Sequence, residues 1–474
     1  MRLSSLKSLL ALLFAFALVA AACSGDDTAS DDGEEETTTT AAASDDGGDD
    51  SADDSMEEDD SMEEDDGAMA DLSGTTVTIS GPENSEVDVG AMQTALDAFA
   101  AENDMTILYS GSRSFSDDIG VQAEAGTASD LAIFPQPGKV ADFARDGFLV
   151  PVPADTVAVA NSNWSPDWTG FGTVDGEVFA VPSKADLKSL VWYQPARFEA
   201  KGYSVPETWD EFKTLADEMI ANGDTPLCVG IESGGATGWA FTDWMEDLML
   251  RFHGPDVYDQ WVNHDIPFND PRVVEVMQEI LDLWNTPGMV FASGGTIATT
   301  PFAENAEPLV DGTCMMHRQA NFFAGNFPEG TPANDGSEGA VNAFYFPTVD
   351  GSRPILVAGT LVSSFRDAPE VWAVMEYMTS AEYANIRQET QVATLGGSTS
   401  GFLSAVNGWD SANLNDLEKS FLQIFADAES ARFDASDLMP AAVGSGTFWT
   451  EGTAAVNGDK TAQEAADAIE ASWP

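Results

Sequence analysis

The sequence predicts an α/β fold made of two α/β lobes. The chain has 474 residues, and a single hydrophobic core stops growing at roughly 250–300 residues. From residue 75 onward, short apolar runs alternate with amphipathic helical patterns. This alternation is typical of parallel sheets with helices on both faces. The 27 phenylalanines and 12 tryptophans are enough for a large core, and further aromatic rings remain available outside it.

The first α/β region lies between residues 75 and 147. Strands are predicted at 76–80, 105–109 and 130–134, with helices at 89–103, 115–124 and 139–146. In such sheets, ligands bind beyond the carboxyl ends of the strands. Those ends carry short polar loops at 81–84, 110–113 and 135–138. We expect these loops to form part of a binding site.

A second α/β region follows. Strands are predicted at 179–182, 187–193, 226–231, 313–317 and 355–363, and helices at 208–222, 243–252, 270–284 and 370–378. A glycine- and serine-rich segment at 397–408 precedes a helical C-terminal stretch. Two lobes joined by several crossings would account for the length.

Residues 1–22 are predicted to be an export signal. Arg2 and Lys7 precede an apolar run that ends in three alanines directly before Cys23. This junction resembles a bacterial lipobox, which implies cleavage before Cys23 and lipid attachment to that cysteine. It departs from the pattern at Ala20, where Leu or Val is usual. The alternative is an ordinary secretory signal with an incidental cysteine.

Residues 23–73 are predicted to be the lipidated cysteine and a disordered acidic tether. Positions 24–73 carry 22 acidic residues and no basic ones. Such a segment repels itself and has little apolar surface to bury. Calcium binding is the alternative, but the spacing of an EF-hand is not found there.

The composition argues against several classes of binding partner and active site. A formal charge of −62 argues against nucleic acid and anionic membrane surfaces as partners. Three cysteines and three histidines offer little for a metal centre, and we expect no metal and no cofactor. A glycoside-acting enzyme is the catalytic alternative, since two nearby carboxylates can hydrolyse a glycosidic bond. Without a nucleophile elbow or a phosphate loop in the sequence, we expect no catalytic residues and no enzyme.

Several ordered segments resemble the extracellular solute-binding proteins of sugar ABC importers, of the maltose-binding-protein type. The segments are Asp130-Leu-Ala-Ile-Phe-Pro-Gln-Pro137, Phe179-Ala-Val-Pro182, Leu190-Val-Trp-Tyr193, Pro206-Glu-Thr-Trp-Asp-Glu-Phe212, and Met439-Pro440 followed by Phe448-Trp449. The stretches at 230–239 and 317–320 more closely resemble the α-glucoside-binding subgroup. The likeness covers essentially residues 74–474.

This resemblance implies a two-lobed periplasmic-binding-protein fold that closes on a sugar by hinge motion. Lobe 1 would comprise 74–183 plus 360–398, and lobe 2 would comprise 184–357 plus 400–474. The hinge would lie near 183–187, 357–361 and 396–401. The implied partners are a sugar and the permease subunits of an ABC transporter. We expect an extracytoplasmic monomer, held to the bacterial cell membrane only by its lipid.

Sugar recognition needs planar polar groups for paired hydrogen bonds and aromatic faces for stacking. In lobe 1 the candidates are Glu83, Arg113 and Gln136, one after each strand; ordinary polar loops are the alternative. In lobe 2 the candidates are Asp186, Trp239, Asp243, Arg318, Gln319 and Trp449. The alternatives there are a core tryptophan for Trp239, a helix cap for Asp243 and a surface salt bridge for Arg318. Lys184 lies beside Asp186 at the hinge, and both residues bind or are merely solvated.

Cys228 and Cys314 lie on two predicted strands of lobe 2, in an oxidising compartment. Helped by the subgroup resemblance, we favour a disulfide between them over free buried thiols. On the chain-entropy model it would contribute about 4 kcal/mol.

The predicted function is capture of a sugar, an α-glucoside such as a disaccharide, for delivery to a permease. One alternative keeps the fold and changes the ligand to a charged sugar or another solute, with Arg113 and Arg318 converging on an anionic group. The second alternative is the secreted glycoside-acting enzyme.

Overall fold

The computed structural model describes residues 71–396 and 399–474. The predicted signal peptide, Cys23 and the tether up to residue 70 lie outside the described residues. So do positions 397 and 398 of one predicted crossing. None of the helices in the described ranges is long and apolar enough to cross a bilayer.

The structure contains thirteen strands among its described residues. They are β1 (Thr76–Gly81), β2 (Thr106–Gly111), β3 (Leu131–Phe134), β4 (Thr173–Val174), β5 (Glu177–Val178), β6 (Ala180–Leu187), β7 (Leu190–Tyr193), β8 (Leu227–Cys228), β9 (Val290–Phe291), β10 (Met316–Arg318), β11 (Asn342–Tyr345), β12 (Pro354–Ser364) and β13 (Ser430–Phe433).

Sixteen α-helices accompany these strands in the same part of the chain. They are α1 (Glu86–Glu102), α2 (Phe115–Glu124), α3 (Pro137–Arg145), α4 (Ala154–Asn163), α5 (Pro166–Gly170), α6 (Pro195–Lys201), α7 (Trp209–Ala221), α8 (Trp239–Val262), α9 (Pro271–Asn285), α10 (Ala306–Asp311), α11 (Pro369–Met378), α12 (Ala381–Thr394), α13 (Asp416–Asp427), α14 (Ala435–Leu438), α15 (Trp449–Val456) and α16 (Ala462–Glu470). Short 3-10 helices lie at Ile297–Thr299, Phe302–Asn305, Asn321–Asn326 and Ser411–Asn413, and a π-helix at Val443–Phe448.

The first sheet has the strand order β13-β12-β3-β1-β2, with β6 paired to β12. Strands β1, β2 and β3 run parallel, as the alternating pattern predicts, while β12 is antiparallel to β3. Their apolar side chains form a core with α1 and α11. We call this sheet and its helices the first lobe.

The second sheet has the order β11-β7-β10-β8-β9 and mixes both directions. Strands β8, β9 and β10 are parallel neighbours, and β7 is antiparallel to both β10 and β11. Helices α7, α8 and α9 pack on it in a large aromatic core. This sheet, its helices and the helical C-terminal segment that shares its core are the second lobe.

Strands β6 and β12 join the two lobes. The sequence predicts that residues 183–186 separate two strands, but in the structure they lie inside β6. The reason is that β12 continues beyond the first lobe and pairs with β6 from Ala180 to Leu187. Two of the predicted hinge segments, 183–187 and 357–361, therefore form hydrogen-bonded neighbours.

Three local features shape the second lobe. Helix α8 begins at Trp239, four residues earlier than predicted, because Gly238 adopts a left-handed conformation (φ 115°) that starts a new chain direction. A second break at Gly254, followed by Pro255, divides α8 internally. Cys228 and Cys314 are joined in a disulfide, with their Cα atoms 5.5 Å apart.

Helix α3 of the first lobe approaches the second lobe through Gly138. A β-carbon at Gly138 would lie 1.9 Å from the carbonyl oxygen of Met439. Further along α3, the Asp142 carboxylate accepts a hydrogen bond of 2.8 Å from the amide of Ala441. Glycine thus permits close contact between a helix and a backbone segment.

We predict that Gly138→Ala lowers the free energy of unfolding by about 1–3 kcal/mol, because the added methyl overpacks against backbone. Gly120→Ala in α2 is the matched control, since its β-carbon would meet no atom within 4 Å. That control should gain about 0.5–1 kcal/mol from helix propensity. Urea unfolding of both variants checks this, and equal effects would contradict it.

Candidate functional site

A cavity of about 320 Å³ lies at the carboxyl ends of β1, β2 and β3. The three predicted loops supply its first wall through Glu83, Arg113 and Gln136, among other residues. The second lobe supplies the opposite wall, and β6 and β12 supply the base. The principal residues of wall and base are Lys184, Asp186, Lys188, Trp239, Phe302, Phe322, Thr360, Asp434, Ser436, Asp437 and Trp449.

The structure brings six of the nine predicted ligand-binding residues to this cavity. They are Glu83, Arg113, Gln136, Asp186, Trp239 and Trp449. Their contact with a ligand stays a prediction.

The other three predicted residues, Asp243, Arg318 and Gln319, are buried and do not line the cavity. The Gln319 side-chain oxygen accepts a hydrogen bond of 2.8 Å from the amide of Ala320. Arg318 points into the second lobe because β10 is an internal strand whose end faces α8. A position at a strand end does not by itself tell which way the side chain points.

Arg318 belongs to a buried chain of alternating charges. Its guanidinium donates to Asp243 at 2.8 Å and to Asp247 at 2.5 Å. Asp247 also accepts from Arg251 at 2.7 Å, and Asp243 accepts from the ammonium of Lys188 at 2.8 Å. The chain of ion pairs thus runs from the core to Lys188 on the cavity wall.

Burial and neighbouring charges shift the pKa values of the carboxyl groups in and beside this network. Burial alone would raise the pKa of Asp247, but attraction to Arg251 and Arg318 outweighs it and lowers that pKa. Burial raises the pKa of Glu246 well above its ordinary value, and the nearby carboxylates Asp434 and Asp243 reinforce the shift. Burial and these neighbours therefore favour the protonated form of Glu246 relative to an exposed glutamate.

Three buried carboxylates, Asp243, Glu246 and Asp434, each place an oxygen within 4.8 Å of the others. The Lys188 ammonium contacts both Asp243 and Asp434, so it already supplies the positive charge that this cluster needs. The arrangement fits a buried lysine rather than a divalent metal ion.

Aromatic rings line the second-lobe wall. Trp239 packs edge-on against Phe302, with ring centroids 4.9 Å apart, and lies 6.0 Å from the ring of Phe322. The Lys188 ammonium lies 5.4 Å from the centroid of the Trp239 ring. Such rings offer flat apolar faces beside polar groups, which suits a ligand that carries both.

Each cation that lines the cavity is paired with a carboxylate of the chain. Arg113 contacts Glu232 at 2.6 Å, Lys184 contacts Asp186 at 3.3 Å, and Lys188 contacts Asp243. The predicted convergence of Arg113 and Arg318 on an anionic ligand is wrong, because Arg318 is fully buried away from the cavity.

Several buried polar atoms on the wall have no hydrogen-bond partner within the described ranges. The side-chain oxygens Oε1 of Glu83 and Gln136 are acceptors, and the indole N–H of Trp449 is a donor. Buried polar groups are normally satisfied, so these three atoms leave hydrogen-bonding capacity unused on residues that line the cavity.

Sequence reasoning missed Lys188, Asp434, Asp437 and the phenylalanines Phe302 and Phe322. Lys188 follows β6 directly, so the alternation that places Lys184 and Asp186 on one face also places Lys188 there. The acidic pair Asp434 and Asp437 follows β13, a strand that the sequence analysis does not predict.

The chain matches the family model of the bacterial extracellular solute-binding proteins over residues 83–385. It therefore belongs to that family, and the predicted resemblance to binding proteins of sugar ABC importers is confirmed.

Two curated relatives cover most of the chain. The osmoprotective compounds-binding protein GgtB of Synechocystis is 39% identical, over 81% of this chain and 89% of the relative. The alpha-glucosides-binding periplasmic protein AglE of Rhizobium meliloti is 34% identical, over 85% of this chain and 88% of the relative.

Solved structures share the fold at low identity. The bacterial solute receptor AcbH, with a preference for β-D-galactopyranose, is similar with a TM-score of 0.71 and 18% identity, over 84% of this chain and 98% of the receptor. A chitin oligosaccharide binding protein has a TM-score of 0.70 and 18% identity, over 84% and 97%. The predicted two-lobed α/β fold is confirmed.

We predict that Glu246→Gln stabilises the protein relative to wild type, and increasingly so from pH 5 to pH 8. The raised pKa means that the folded state keeps a proton that the unfolded chain releases above about pH 4.3. The contribution of Glu246 to wild-type stability thus falls as pH rises, and the neutral amide removes this loss. Urea unfolding of both proteins at three pH values measures the difference; a difference that stays constant or shrinks would contradict the raised pKa.

Proposed function

We propose that this protein is the substrate-binding lipoprotein of a sugar ABC importer, and that it captures a neutral α-glucoside of about disaccharide size. The observation that carries the proposal is the cavity wall, where unpartnered acceptors on Glu83 and Gln136 lie with an unpartnered donor on Trp449. A sugar hydroxyl both donates and accepts hydrogen bonds, so it matches both kinds of atom.

Charge pairing and the relatives support a neutral ligand. An anionic sugar needs a cation that is free to bind it, whereas Arg113, Lys184 and Lys188 each already contact a carboxylate. The names of AglE and GgtB point to α-glucosides and to osmoprotective compounds. Neutral polyhydroxylated solutes belong to both classes.

Several parts of the proposal rest on the sequence and the family. The chain would be cleaved before Cys23, lipidated there, and held away from the membrane by the tether at 23–73. Lobe 1 (74–183 plus 360–398) and lobe 2 (184–357 plus 400–474) would close about the three crossings and present a monomer to the permease outside the cytoplasm. The family consists of binding proteins, which supports binding without catalysis.

A thermal-shift screen of the purified protein tests the ligand class. Its arms are the neutral sugars trehalose, sucrose and maltose, glucuronate as a charged sugar, and spermidine as a cation. A ligand that binds only the folded state raises the unfolding midpoint. We expect a rise with at least one neutral sugar; a rise only with glucuronate or spermidine would overturn the neutral-sugar proposal.

We predict that Trp449→Ala weakens binding of the sugar identified in the screen by roughly 10- to 100-fold, since it removes an aromatic anchor and an indole donor. Trp473→Ala is the matched control, because Trp473 stacks on His264 and does not line the cavity. Isothermal titration calorimetry compares the two variants. Unchanged affinity in Trp449→Ala would remove this ring from the site.

A further inference from the structure

A fully buried arginine lies behind the first-lobe wall of the cavity. Arg387 on α12 has a side chain that is 1% exposed, and its Nη1 donates to the hydroxyl of Tyr383 at 3.2 Å. Its guanidinium carbon lies 4.8 Å from the centroid of the Phe402 ring. Arg387 is not among the ligand-binding residues predicted from the sequence.

The one carboxylate paired with Arg387 in the described residues is a cavity residue. Nη2 of Arg387 lies 4.0 Å from Oε1 of Glu83, and neither atom has a hydrogen-bond partner in the structure as described. A buried guanidinium is costly unless an opposite charge accompanies it. Glu83 therefore supplies the compensating charge.

Glu83 has few other contacts that could hold it. Its Oε2 accepts only a long hydrogen bond of 3.5 Å from the Tyr109 hydroxyl, which donates at 2.8 Å to the Glu83 backbone oxygen instead. The carboxylate thus keeps accepting capacity toward the cavity that it lines.

Helix α12 also contacts a second carboxylate that lines the cavity. Gln391, one turn after Arg387, donates to Asp88 at 2.7 Å, and Asp88 lines the cavity as well. Residues four apart lie on one face of a helix. This face of α12 therefore contacts two acidic side chains of the first-lobe wall.

We propose that Arg387 is a positioning residue of the ligand site, which holds the Glu83 carboxylate at the cavity wall so that it accepts a hydrogen bond from a ligand hydroxyl. The proposal rests on the proposed function, since it assumes a hydroxylated ligand. It assigns to α12 a role in affinity that does not require contact between α12 and the ligand.

A double-mutant cycle tests this on the full chain. Trehalose, sucrose and maltose are titrated calorimetrically into wild type, Glu83→Gln, Arg387→Met, Arg387→Lys and the double variant Glu83→Gln/Arg387→Met. Arg145→Met is the control, because Arg145 pairs with Asp175 on the surface and does not line the cavity. Thermal unfolding of each variant without sugar reports any general loss of folding.

We expect Glu83→Gln and Arg387→Met each to weaken binding about tenfold or more. The double variant should be no more than about twofold weaker than Glu83→Gln, because Arg387 acts through Glu83. Arg387→Lys keeps the charge and should recover part of the affinity, and Arg145→Met should bind as wild type.

Two results would overturn the positioning role. One is unchanged affinity in Arg387→Met; the other is losses that multiply in the double variant, as expected of an independent structural effect. If Arg387→Met does not fold, Arg387→Gln, which also removes the charge, replaces it in the cycle and the same criterion applies. If wild type binds none of the three sugars, the proposed function fails, and this inference fails with it.

Discussion

Strands β6 and β12 pair from Val357 opposite Leu187 to Ser363 opposite Ala180, and every residue of both strands is buried. One end of this ladder contributes Val181 and Val362 to the first-lobe core, while the other contributes Leu187 and Val357 to a core shared with β7. The ladder shifts register between Thr360 and Leu361, and it forms the cavity base, where Lys184 and Asp186 of β6 line the cavity. Residues of the two lobes that surround this base form the cavity walls.

Charge compensation is the second constraint, and it explains why so acidic a chain has so few free charges at its cavity. Burying an ion is costly unless a partner accompanies it. In the second lobe, each of these buried charges has an opposite charge beside it. The ion pairs run in order through Arg251, Asp247, Arg318, Asp243 and Lys188. Each cation that lines the cavity already contacts a carboxylate of the protein.

The part of the site that could be predicted from sequence depends on one general rule. Parallel strands point their carboxyl ends to the same edge, so Glu83, Arg113 and Gln136 could be assigned to one wall before their positions were known. The same reasoning failed for Arg318, which also follows a strand end. Its direction depends on α8 packed beside β10, and this contact is between segments about 75 residues apart.

The sequence by itself determined the α/β class, the family and the first wall of the cavity, because these depend on local periodicity, ordered segments and strand direction. Only the tertiary structure decided which charges are paired and which buried polar atoms have no partner among the described residues. Lys188 meets Asp434, and Arg387 meets Glu83, across 246 and 304 residues of sequence. No local pattern encodes such pairs, since they arise from the burial of charges that distant segments bring together.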